Sequence, residues 1–82
     1  MKKIRKNEIP DIVVKIGLRI NEIIFEKKLK QRNVAHDAGL DVENLRKYIK
    51  GKQEMKISTM LRIVEALNVS VKELFDFEYS NK

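Results

Sequence analysis

His36 is the only histidine of the chain, cysteine is absent, and Gly17, Gly39 and Gly51 stand too far apart to form a phosphate-cradling loop. These features leave no cysteine nucleophile, no thiolate metal site and no nucleotide-binding turn. A lone histidine with no second ligand reads as a surface residue, so no metal or other cofactor is expected. The side chains left to do chemistry are cations. Lys27, Lys28, Lys30 and Arg32 form one basic run, and Lys2, Lys3, Arg5 and Lys6 form another. Ammonium and guanidinium groups at this density suit a polyanionic partner, either nucleic acid or an anionic membrane surface.

The whole chain has 82 residues, 18 Lys and Arg against 12 Asp and Glu, and a net charge of +6. The charge is uneven: residues 1–52 carry +7 and residues 53–82 carry −1. A chain this short has little material for a catalytic cleft as well as a core, and no enzyme is expected. With 43% hydrophobic and 37% charged residues it is too apolar for disorder, yet it has no apolar run of membrane-spanning length. The basic start resembles a signal peptide, but Glu8, Pro10 and Asp11 interrupt any apolar core, and a cytoplasmic protein is expected.

Hydrophobic spacing predicts the elements that must position these cations. Residues 1–10 read as a basic arm ending at Pro10, and residues 11–76 as the folded domain. A first helix over about residues 11–28 carries Val13, Ile16, Ile20, Ile23 and Ile24 on one face. A short second helix over residues 31–38 stops at Gly39, which can adopt a left-handed conformation. Asp41 caps a third, with Leu45, Tyr48 and Ile49 inward, which closes at Gly51. Ile57, Met60, Leu61, Val64 and Leu67 trace a fourth helix ended by Asn68. Ser70 and Glu73 form a capping box that opens a fifth. Only Phe75, Phe77 and Tyr79 alternate with period two, and no central strand is expected.

Two short helices joined at a glycine and flanked by cations form the arrangement that lays a helix in a DNA major groove. Residues 31–50 resemble the helix-turn-helix of phage repressor, Cro and XRE-type regulators, with Ala35, Gly39 and the apolar Val34, Ala38, Leu40, Leu45 and Tyr48 at matching positions. The likeness extends through "IGLRINEI" before the motif and "ALNVSVKELF" after it, over roughly residues 16–75. It implies an all-α, five-helix lambda-repressor-like domain that binds double-stranded DNA as a sequence-specific transcriptional regulator.

By the same resemblance, Val42, Glu43, Asn44 and Lys47 would read base edges, and Arg46 would reach either a base or a phosphate. Lys47 suits guanine, Asn44 adenine, Glu43 the amino group of cytosine and Val42 the thymine methyl. Glu43 has a second reading, as an i,i+4 ion-pair partner of Lys47 on a solvated face. Gln31 matches the family residue that bonds a phosphate, and Lys30, Lys50 and Lys52 are suited to further backbone contacts. Two departures stand out. Ile24 and Ile49 occupy positions where many members carry a partly buried Arg–Glu pair, a replacement that well-packed apolar side chains tolerate. Lys30 replaces the usual Ser or Thr cap of the second helix and cannot accept a backbone N–H bond.

Three of the five aromatic residues lie in the last eight positions. So small a chain has little interior for all of them. Leu74, Phe75, Phe77 and Tyr79 are therefore expected at a homodimer interface, with residues 77–82 as the contacting tail. A dimer would act as a repressor on an inverted repeat. The alternative is an antitoxin-like or other protein-interaction module whose aromatic tail docks a protein partner. A membrane partner is disfavoured, because Glu22 and Glu26 interrupt the first helix's basic surface and the apolar faces are needed internally.

Overall fold

The computed structural model describes residues 9–78. The basic arm residues Lys2, Lys3, Arg5 and Lys6, and Tyr79, lie outside the described residues. Five helices follow one another: α1 (Asp11–Glu26), α2 (Gln31–Asp37), α3 (Val42–Ile49), α4 (Ile57–Leu67) and α5 (Val71–Leu74). Among the described residues there is no strand. α1 packs against α3 and α5, while α2 packs against α3 and α4.

α1 starts after Pro10, whose missing N–H costs nothing at a helix start, and buries Val13, Ile16, Ile20, Ile23 and Ile24 along one face. Ile20, Leu45, Ile63, Leu67 and Leu74 come from four helices and are fully buried at the centre. Each contributes about 1.5–3 kcal/mol by leaving water. Ile24 and Ile49 both lie in this core, so apolar side chains fill this site.

Four helices stop by the same device. Lys28, Gly39, Gly51 and Asn68 all have positive φ, between 56° and 71°. At α1 the Lys28 and Leu29 N–H groups donate to the carbonyls of Phe25 and Ile24. At α2 the Gly39 and Leu40 N–H groups donate to His36 and Ala35. α3 closes through Gly51 and Lys52, and α4 through Asn68 and Val69, in the same pattern. Each stop reverses the chain within a few residues, which keeps α2 and α3 short. At the other ends, Asp41 accepts from the Glu43 N–H at 3.4 Å, and Ser70 and Glu73 complete their reciprocal capping box. Lys30 provides no side-chain cap to α2.

Two expectations are corrected. α4 buries Thr59, Ile63, Val64 and Leu67, whereas Ile57 and Leu61 are 73% and 45% exposed. α4 carries two adjoining apolar stripes that share Val64 and Leu67, and only the one through Ile63 can face this chain's own core. Leu74 is fully buried within the core cluster and so is not an interface residue. α5 packs on α1 and α4 with Leu74 turned inward, leaving Val71 and Phe75 outward, both about two-fifths exposed.

Candidate nucleic-acid interface

α3 divides cleanly into two faces. Leu45, Tyr48 and Ile49 are buried, while Glu43, Asn44, Arg46, Lys47 and Lys50 are exposed. At 3.6 residues per turn, Glu43, Lys47 and Lys50 run along the middle of the outward face, with Asn44 and Arg46 on opposite flanks. Val42 is half-buried against the core, at the margin of that face. The helix is pressed onto α1 at two glycines. A Cβ on Gly17 would meet the Tyr48 carbonyl oxygen at 2.3 Å, and one on Gly51 would meet the Val14 Cα at 3.1 Å. This backbone seat fixes how far α3 projects from the body of the protein. Ala35 and Ala38, both buried, leave room for α2 to pack from the other side.

Gln31, at the start of α2, joins this face. Its Oε1 accepts from Arg46 Nε at 3.1 Å, and its Nε2 donates to Asn21 Oδ1 at 3.4 Å. Arg46 Nη1 also donates to Glu43 Oε2 at 3.0 Å, so the ion pair on this face joins Glu43 to Arg46 rather than to Lys47. Lys47 makes no side-chain hydrogen bond or ion pair among the described residues. Lys30 lies exposed beside Gln31, and Lys52 is exposed just past the stop of α3. Gln31 uses one amide hydrogen internally, and the second remains available to an acceptor such as a phosphate oxygen.

Lys27 departs from the basic run expected to meet a polyanion. Its Nζ donates to the carbonyl oxygens of Leu67 at 2.7 Å and Asn68 at 3.1 Å, satisfying the C-terminus of α4 instead. Arg19 performs a similar service for α5, bonding the Glu73 carbonyl at 3.0 Å while pairing with Glu22. Neither Lys27 nor Asn21 has a local signal for these roles, because their partners lie 10 to 41 residues away.

His36 is exposed beside Asp37, and no group of three or more potential metal ligands occurs among the described residues. The described helices include none long and apolar enough to cross a membrane.

A helix projected outward by α1, preceded by a short helix and a glycine turn and lined with cations and amides, defines a helix-turn-helix DNA-binding regulator. The chain matches the Cro/C1-type HTH DNA-binding domain over residues 19–80 and belongs to that family. No curated protein matches it significantly by sequence. Among solved structures it is similar to the restriction-modification controller protein C.AhdI from Aeromonas hydrophila, with 29% identity and a TM-score of 0.76 over 80% of this chain and 100% of that one. It also resembles C.Esp1396I, solved as a tetramer with its natural 35 base-pair operator, at 22% identity and a TM-score of 0.77, covering 82% of this chain and 88% of that one. The clp gene regulator ClgR from C. glutamicum shares 19% identity at a TM-score of 0.76, covering 84% and 88%. The last two likenesses establish the fold alone. Family and fold together identify a DNA-binding transcriptional regulator of the helix-turn-helix class.

Proposed function

We propose that the protein acts as a homodimeric repressor that lays α3 of each subunit in successive major grooves of an inverted repeat. The observation that carries this reading is the two-sided α3. Its buried residues lock it to α1, while Asn44 and Lys47 stand exposed at the positions that meet base edges. Val42 adds an apolar margin for a thymine methyl. Glu43 shares the outward face. Lys30, Gln31, Lys50 and Lys52 surround these groups as phosphate contacts, and Arg46 stands between the two sets.

A single α3 reads only a few base pairs, and a two-fold pair doubles the contact. Ile57, Leu61, Val71 and Phe75 supply exposed apolar surface on α4 and α5 for that pairing. Phe77 stacks on Phe75, with ring centroids 6.2 Å apart, and is itself half-buried against the core. The likeness to C.AhdI favours control of a restriction-modification system among the roles such small regulators take. Occlusion of a promoter by the bound dimer is the simplest mode of repression.

Fluorescence anisotropy with a random-sequence duplex tests the electrostatic part. Log affinity should fall linearly with log salt, with a slope near −0.9 for each phosphate contacted. A salt-independent affinity would contradict the proposal. A chain that stays monomeric at high concentration with its Phe75 surface open would favour the protein-partner reading instead.

A further inference from the structure

We propose that Glu43 is a positioning residue that acts through Arg46, holding that cation back from random DNA and releasing it at the correct sequence. The inference rests on the DNA-reading face proposed above and assigns one of its residues a different task.

The two cations in the second half of α3 are not equivalent. Lys47 makes no side-chain bond or ion pair among the described residues. The Arg46 guanidinium is held on two sides, by the Glu43 carboxylate at 3.0 Å and the Gln31 carbonyl oxygen at 3.1 Å. Gln31 is braced in turn by Asn21, 3.4 Å away on α1. The four side chains form a line from α1 across the start of α2 to the outward face of α3.

This line has a consequence for binding. The Arg46 and Glu43 side chains are 44% and 69% exposed, so a DNA phosphate can reach the pair and compete for the guanidinium. A phosphate met at random only exchanges one anion for another and leaves the Glu43 carboxylate unpaired beside a polyanion. That exchange is close to neutral, and Arg46 then adds little to sequence-independent attraction. At a site that offers Arg46 a guanine edge and Glu43 a cytosine amino group, both partners of the broken pair are satisfied. The internal carboxylate therefore lowers non-specific binding more than specific binding, which raises the ratio between them.

The test is a double-mutant cycle with Glu43→Gln, Arg46→Gln and the double variant, each titrated with a random-sequence duplex over a range of salt. Both changes lie on exposed side chains, and thermal melting checks that each of the three variants folds. Glu43→Gln alone should raise random-duplex affinity roughly two- to fivefold. It should also steepen the salt slope by about 0.9, as one more cation reaches phosphate. In the Arg46→Gln background the same change should produce less than half of either effect. Equal effects in both backgrounds would overturn the proposal, since Glu43 would then act only by its own charge. If the unaltered protein shows no salt-dependent DNA binding, the DNA-reading face itself fails, an outcome distinct from either of these.

Discussion

Gly17 of α1 and Tyr48 of α3 meet backbone to backbone. A Cβ on Gly17 would stand 2.3 Å from the Tyr48 carbonyl oxygen and 2.6 Å from that of Ile49. In an ordinary exposed helix, replacing glycine by alanine stabilises by about 1 kcal/mol. Here the sign should reverse, because no flexible side chain can yield and the two helices must separate. Gly17→Ala should cost about 1–3 kcal/mol in urea denaturation. It should also weaken DNA binding by the folded protein, because α3 no longer sits at its proper height. Unchanged stability would show that α1 and α3 are not seated on each other at this point.

Lys28 offers a test of opposite sign. It holds a left-handed conformation, φ 56°, that closes α1 at a cost glycine does not bear. Lys28→Gly should raise stability by about 1 kcal/mol. Lys28→Ala removes the same charge without relieving the backbone and should give no such gain. Comparing the two thermal melts separates conformation from charge.

Leu74 and Leu61 should behave as different kinds of residue, although both read as apolar positions near the C-terminal end. Leu74 is fully buried, and Leu74→Ala should cost about 2–5 kcal/mol of folding stability. Leu61 is 45% exposed on the outward stripe of α4, and Leu61→Glu should leave the fold intact while shifting sedimentation equilibrium toward monomer. Phe75→Glu should act in the same direction as Leu61→Glu. A dimer that tolerates both charges would move the proposed interface elsewhere.

Lys47 and Lys52 should separate base reading from phosphate contact. Lys47→Ala should relax base preference at one position of each half-site, at a cost of about 1–3 kcal/mol on the preferred sequence. Lys52→Ala should weaken all sequences alike and reduce the salt slope by about 1. Competition binding with preferred and scrambled duplexes distinguishes the two patterns.

Much of the fold was legible in the sequence because the punctuation is local. Gly39, Gly51, Asn68, Asp41 and the Ser70–Glu73 box act on their own neighbours, and the structure uses each where its residue type placed it. Lys28 was not legible as a helix stop, since lysine carries no preference for the left-handed region. The inward face of α4 is not legible for another reason. Two apolar stripes overlap on one helix, and which of them turns inward is decided by how α2 and α5 pack around it, not by periodicity. The outward residues of α3 followed from the burial of Leu45, Tyr48 and Ile49. The partner of Arg46 did not, because choosing among Glu43, Gln31 and solvent requires the distance between α2 and α3. Asn21 and Lys27 were invisible for the same reason, being tied to residues far along the chain.

Selection of bound duplexes from a random-sequence pool, at near-physiological salt, tests the central claim most directly. The account predicts enrichment of an inverted repeat whose half-sites are centred about 10 base pairs apart or a multiple of that, one for each α3 of a dimer. Recovery of a pool no different from the input would contradict it.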